Sequence, residues 1–311
     1  MMPKALLVCL TFFLMNAGSA AAKEPASQVF LNGVPTPVFF NDGDSFRVLE
    51  GPLKGTKARL AGFNTLESYG PVHQWGTWHA KELYAIAKMA TLNARRGVWN
   101  CSSEMEKDTY GRVLFDCLDL AEDQIRKGLA HVMSVTTDPG HPRLVAAQKD
   151  AIENRAGMWA HGVPEFVLTS LHSIDERSNR AYAYNRLVSS IDGHSEKWMH
   201  KNKYTECQVV CEQNIEITDA DLAQLRKTLL RDVNVKPILG GTSAQEVDHI
   251  IRMWLKTQTV AAIIEKRNIG VMKKALAALK SDGMTTASDG SCVVYVDFKR
   301  RFGGDKAKCL K

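Results

Sequence analysis

Between residues 28 and 67, apolar and polar positions exchange at a period of two, and turn residues cut the run into QVFLNG, VPTPVFFNDGD and SFRVLEGPLKGTKARLAGFNT. That period puts every second side chain on one face of a half-buried sheet. Asn41-Asp42-Gly43-Asp44 reads as a turn feeding a strand over 45–49, and Gly51-Pro52-Leu53-Lys54-Gly55 as a turn feeding a strand over 57–63. The spacing then becomes helical: Leu83, Ile86, Ala87, Met89 and Ala90 predict a helix over 78–93. GVWNC (97–101) and GRVLFDCL (111–118) read as the two strands of a hairpin joined by a polar loop. Helices are expected over 122–133 and 142–160, the latter ending near Gly162-Val163-Pro164. This order predicts an α+β fold: a five-stranded β-barrel with three packed helices, over 26–166.

Past Pro164 the texture changes. Residues 180–212 read as extended, with Asp192-Gly193 as a hairpin signal before HSEKWMH. Residues 218–281 are mostly helical in pattern, and Ser243 with Glu246 forms a capping box ahead of an apolar run through Trp254 and Leu255. SCVVYVDFKRRF (291–302) reads as a strand. The expectation for 167–311 is a mixed, mostly helical, disulfide-stapled C-terminal domain in which a small β unit flanks a helical insert.

The first 22 residues change this picture. Met1 to Lys4 is short and basic, residues 5–15 are apolar, and 17–22 are small, which predicts a secretory signal peptide cut near Ala22. The apolar stretch is too short to span ~30 Å of hydrocarbon. A secreted chain, extracellular or periplasmic, is therefore expected. Its loss would remove Cys9 and leave Cys101, Cys117, Cys207, Cys211, Cys292 and Cys309, an even number that argues for disulfides. A bridge between Cys101 and Cys117, which share one half, is the simplest choice; the other four allow three pairings. Zinc on cysteines is disfavoured because the spacings lack CxxC pairs.

Length and composition suit about two globular domains: 311 residues, 45% hydrophobic and 24% charged. The charge is uneven. From Pro25 to Glu165 there are 15 Lys and Arg against 16 Asp and Glu, and from Phe166 onward 23 against 17. A basic second half suits a polyanion such as nucleic acid, cell wall or membrane surface, and equally a solvated surface. Lys299-Arg300-Arg301 is its densest run, able to touch backbone phosphates or to stand as a solvated strand edge.

The candidate chemistry lies at the strand ends of the first half: Asp44, Arg59, Asn64, Thr65, Glu67 and Arg112. Phosphodiester hydrolysis needs an activated water, positive charge on the transition state and, commonly, a metal. Arginine forks suit phosphate oxygens, a glutamate can activate water, and oxygen ligands from Asp44, Asn64 and the Thr65 carbonyl suit calcium. The other reading of Arg59 and Glu67 is an exposed ion pair worth ~0–1 kcal/mol.

DGDS (42–45), RLAGFNTLES (59–68), DTYGR (108–112), KGLAHV (127–132) and AGMW (156–159) follow one another in an order that resembles the staphylococcal nuclease-like (thermonuclease) family. The resemblance covers about 28–165. It implies an OB-fold barrel and a calcium-dependent nuclease acting on DNA and RNA. It also implies that Arg59 and Arg112 are catalytic, that Glu67 activates water, and that Asp44, Asn64 and the Thr65 carbonyl bind calcium. Tyr110 would lie along the bound nucleotide, and a Cys101–Cys117 bridge matches exported members.

The chain departs from the family pattern at Asn64, where Asp is usual, at Thr109 in place of a lysine, and at Ser134 in place of a tyrosine. Those departures motivate a rival reading as a catalytically impaired nucleic-acid-binding protein. A second rival is a surface-binding module whose function lies in the C-terminal half. The loop YGPVHQWGTWH (69–79) offers Tyr69, Trp75 and Trp78 for base stacking and His73 or His79 for the phosphate; otherwise its tryptophans cap the barrel. Met158 and Trp159 are expected to pack in the core.

Overall fold

The computed structural model describes residues 27–68, 70, 72–176, 181–297, 307 and 309. The expected signal peptide, Tyr69 and Lys299-Arg300-Arg301 lie outside the described residues. The fold is mixed α+β. In chain order its first half contains β1 (Ser27–Leu31), β2 (Val34–Asp42), β3 (Ser45–Val48), β4 (Lys57–Leu60), β5 (Phe63–Thr65), β6 (Val72–Gln74), α1 (Ala80–Arg96), β7 (Val98–Cys101), β8 (Val113–Phe115), α2 (Leu118–Arg126), β9 (Ala130–Val132) and α3 (Pro142–Glu153). The second half contains β10 (Phe166–Ser170), β11 (Ala183–Ser189), β12 (Ser195–His200), β13 (Val209–Ile217), α4 (Asp219–Arg231), α5 (Lys236–Leu239), α6 (Ala244–Thr257), α7 (Ile269–Ala277) and β14 (Thr285–Val294).

The alternating stretch becomes a curled sheet in the order β7-β1-β2-β3-β4-β8, six strands where the pattern predicted five, and β5 pairs separately with β9. Its inward positions, among them Val38, Phe40, Phe46, Leu60 and Phe115, are fully buried, as the period of two requires. Phe46 stands edge-on to Phe40 at 5.4 Å and tilted against Phe115 at 5.6 Å. Each such ring contributes about 1.5–3 kcal/mol through burial.

The predicted hairpin of 97–101 with 111–118 does not form. β7 adds in parallel to β1 and β8 in parallel to β4, at opposite edges of the sheet. The intervening loop doubles back on itself instead, with Asp108 N donating to Arg112 O and Leu114 N to Glu106 O, both at 2.9 Å. Curling brings the two edges together at one corner. There Ser102 and Asp116 exchange backbone hydrogen bonds of 2.9 and 2.8 Å, beside the Cys101–Cys117 disulfide.

Other boundaries also moved. The strand predicted over 57–63 breaks at Ala61-Gly62, where Ala61 N turns to Phe115 O, so that β5 leaves for β9. The helix predicted over 122–133 begins earlier and stops at Arg126, because Gly128 takes a left-handed backbone (φ 63°) and the wholly buried Ala130–Val132 then pairs as β9. The third helix ends at Glu153, followed by Arg155 at φ 50° and a 3-10 turn at Gly157–Trp159 that buries Met158 and Trp159 as expected.

In the second half, the stretch expected to be extended holds β11, β12 and the start of β13 with a loop over 201–208 between the last two, and the helical stretch and the Ser243–Glu246 capping box form. The last strand starts at Thr285, earlier than predicted. β13 and β14 pair with each other, and β14 pairs with β6 of the first half. Hydrophobic clusters divide near residue 166. One is built on α4, α6 and α7 (Leu222, Leu225, Ile250, Trp254, Met272), separate from those under the curled sheet and α1. Two more disulfides join Cys207 to Cys309 and Cys211 to Cys292, so one of the three open pairings is selected. Among the described residues no helix is long and apolar enough to cross a membrane.

Candidate functional site

The DGD turn between β2 and β3 lies against both β5 and α1. A Cβ on Gly43 would come within 2.5 Å of Thr65 Cγ2 and 2.9 Å of Ala90 Cβ, so only glycine allows this approach. The turn therefore delivers Asp44 into the gap beside β5. Asp44 Oδ2 accepts from Thr65 N at 2.8 Å and from Thr65 Oγ1 at 3.2 Å, while Oδ1 forms an ion pair with Arg59.

Arg59, directly opposite Ser45 on β4, extends its other amino nitrogen to Asn64 Oδ1 at 2.7 Å and to Phe63 O at 3.5 Å. Asn64 Nδ2 in turn donates to Thr65 O at 2.8 Å. Behind Asn64 sits the buried His131, its partner across the β5–β9 ladder. The β2–β3 turn and the strands β4 and β5 thus bring Asp44, Arg59, Asn64 and Thr65 into one hydrogen-bonded knot.

Sequence reasoning missed two residues of this knot. Asp42, the first carboxylate of the same DGD turn, accepts from Ser45 Oγ at 2.6 Å and from Asp44 N at 3.3 Å. Its burial, then the neighbouring Asp44 charge and the charge of Glu67, push its carboxyl up to about 8. His131 was hidden because 122–133 reads as a helix, and only the β5–β9 pairing reveals it. Burial drives its imidazole down to about 4, so it is neutral at physiological pH. Although burial works against the Arg59 charge, Asp44, Asp42 and Glu67 together hold it on above the usual guanidinium range. Glu67 is partly buried two residues past the end of β5, and its charge is among those that act on Asp42 and Arg59.

Arg112 immediately precedes β8. Because Arg59 faces Leu114 in the parallel β4–β8 ladder, Arg112 falls on the same sheet face, one step of two residues away. It is anchored by its own loop: its Nε and Nη2 both donate to Asp108 Oδ2 at 2.7 Å, and its amide to Oδ1 at 2.9 Å. Those bonds hold the Asp108 carboxyl below its ordinary range despite the opposing burial. The Arg112 side chain stays one-third exposed (34%) and lies 5.5 Å from the centre of the Tyr110 ring. Tyr110 is itself exposed and borders a cleft shared with Tyr182 and Tyr184.

The aromatic loop does not supply stacking platforms at Trp75 or Trp78. Trp75 is buried with its Nε1 on Gly162 O at 3.1 Å, and Trp78 donates to Met158 O at 2.8 Å. His73 lies buried in β6 and His79 caps α1. The tryptophans pack here because their indole N–H groups find backbone acceptors beside the 3-10 turn.

Every candidate metal ligand in the knot is an oxygen, a donor set suited to a hard cation such as calcium. The charges of Asp42, Asp44 and Glu67 all act on the Arg59 guanidinium, and the Asp42 carboxyl is raised first by burial and then by the neighbouring Asp44 charge. By donor chemistry the set is compatible with a hard cation, while Arg59 now holds two of its oxygens. No family model matches the chain, and no curated protein is significantly similar to it.

Proposed function

We propose that this chain is a secreted, calcium-dependent nuclease of the staphylococcal nuclease-like kind. It hydrolyses phosphodiester bonds of DNA and RNA with little sequence specificity, and the curled sheet serves as its OB-fold barrel. The observation that carries the reading is the Asp44–Arg59–Asn64 knot, with the Glu67 charge acting on it and Arg112 on the same sheet face. The three disulfides fit export to an oxidising compartment.

In this reading Glu67 takes the proton of the attacking water, and Arg59 and Arg112 stabilise the charge that develops on the phosphate. Asp44, the Asn64 side-chain oxygen and the Thr65 carbonyl would hold calcium, which supplies positive charge against the phosphate. Arg59 now holds Asp44 Oδ1 and Asn64 Oδ1, and Asn64 Nδ2 caps Thr65 O. Arg59 must release these oxygens before they serve a cation, and its freed fork then faces the substrate. Tyr110, exposed beside Arg112, lies along the nucleotide.

A second reading, nucleic-acid binding without cleavage, is favoured by the same Asn64 amide on Thr65 O, a contact that an aspartate could not make. Digestion of plasmid DNA and of RNA by the purified mature protein, with calcium and with EDTA, separates the two. Cleavage that depends on calcium is expected; retained binding without cleavage under any divalent ion selects the second reading.

A further inference from the structure

A second polar cluster lies in the C-terminal half and is independent of the nuclease reading. The Asp192-Gly193 hairpin turn leads into β12 as His194-Ser195-Glu196. Residues two apart on a strand share a face, so His194 and Glu196 point the same way. Helix α6, started by the Ser243–Glu246 capping box, brings His249 against that face. One ligand atom from each of His194, Glu196 and His249 lies within 4.8 Å of the others.

The hydrogen bonding inside the cluster is incomplete in a specific way. Glu196 is 1% exposed, an expensive place for a carboxylate, and its partners are His249 Nε2 at 2.7 Å and Ala262 N at 3.3 Å. His194 Nδ1 is bound to Asp192 Oδ1 at 2.5 Å, which fixes the ring and directs Nε2 inward. That buried Nε2 has no hydrogen-bond partner among the described residues. A carboxylate on the outer nitrogen of a histidine whose inner nitrogen faces a second histidine and a buried glutamate is the orienting arrangement found behind metal-bound imidazoles.

We propose that His194, Glu196 and His249 bind one zinc ion, with Asp192 as a positioning residue. Two imidazoles and one carboxylate suit zinc rather than calcium, which takes oxygen ligands. Zinc bonds of ~2.0–2.2 Å in a tetrahedron place ligand atoms roughly 3.4 Å apart, so closure from the observed spread requires only rotamer-scale adjustment. Three protein ligands leave one position open. His194 and His249 keep 16% and 28% of their side-chain surface exposed, enough to admit the ion. The bound zinc would tie the β11–β12 hairpin to α6, joining the small sheet to the helical insert.

The test is equilibrium titration of the full-length mature chain with Zn2+ against a chromophoric chelator, with metal content measured after dialysis. The structure leads us to expect one zinc per chain and a raised Tm on zinc addition. A large excess of Ca2+ should neither displace the zinc nor change its stoichiometry. His249→Ala, at a partly exposed helix position, should abolish the site while preserving the folded circular dichroism spectrum, and His194→Ala should do the same. Asp192→Asn should keep the stoichiometry but weaken affinity about 10–100-fold. Absence of binding at micromolar Zn2+, or binding that survives both histidine variants, overturns the proposal.

Discussion

Asn64 faces His131 across the β5–β9 ladder, with its amide nitrogen 3.5 Å from the imidazole Nε2 and 2.8 Å from its own neighbour's carbonyl, Thr65 O. The asparagine therefore does two things that an aspartate in its place would not. It sits beside a buried neutral imidazole without adding charge, and it satisfies the Thr65 carbonyl. Asn64→Asp removes the donor and adds a negative charge to a pocket already crowded with Asp42, Asp44 and Glu67. Without calcium, the variant is expected to lose about 1–3 kcal/mol in denaturant unfolding, because it leaves a buried acceptor unpaired beside like charges. With calcium, the added ligand charge should lower the concentration needed for half-maximal cleavage. An unchanged calcium titration would show that residue 64 is not a ligand.

Arg112 and Glu67 test the chemistry rather than the metal. Arg112→Ala leaves Asp108 with its backbone donors from Tyr110 and Arg112, so the loop should hold. Loss of a charge-stabilising fork or of the water-activating carboxylate is expected to reduce cleavage about 10²–10⁴-fold for Arg112→Ala and for Glu67→Gln. The readout is single-turnover cleavage at saturating calcium, with Tm measured alongside. Variants that retain full rate would remove both residues from the mechanism.

The Cys211–Cys292 bridge joins directly opposed residues of β13 and β14 and closes a loop of 81 residues that contains α4 to α7. Replacing both cysteines with serine is expected to cost about 2–5 kcal/mol by denaturant unfolding. The loss should appear in the C-terminal transition, because that loop belongs to a hydrophobic cluster separate from those of the first half.

The sequence made the local parts of this architecture legible and left the long-range parts hidden. Alternation located β2 to β4 because their buried faces follow the pleat, and capping chemistry located α6 at Ser243. Asp44, Arg59 and Asn64 stood out because charged and amide groups closed an apolar run. His131 stayed hidden since its role depends on pairing with a strand 67 residues earlier, and no local period records that. The expected 97–118 hairpin failed for the same reason: β7 and β8 are each claimed by a distant parallel partner. Asp42 was in plain view, one glycine from Asp44, but a turn carboxylate reads as turn chemistry until its neighbours across the fold are known.

Asp42 and His131 make opposite contributions to stability as pH changes, and magnitudes decide where each is seen. The Asp42 carboxyl sits at about 8 in the folded chain against an ordinary 3.8, so between those values the folded state holds a proton that the unfolded state has released. Stability from this group therefore falls as pH rises through that window, by at most about 1.4 kcal/mol per pH unit. His131 sits at about 4 against an ordinary 6.5, so in that window the unfolded state holds the extra proton and stability rises with pH. From about pH 4 to 6.5 the two slopes cancel, and above 6.5 Asp42 acts alone of the pair. Asp42→Asn should therefore gain on the parent chain progressively from about pH 4 to about pH 8. His131→Gln should show its comparative gain only on the acid side of 6.5. Calcium should reduce the Asp42 slope, since a bound cation favours the ionised carboxylate. Urea unfolding of the three proteins across this range, with and without calcium, measures each difference directly. A gap between Asp42→Asn and parent that stays constant with pH would show that Asp42 is ionised throughout, and that the knot already balances its charge.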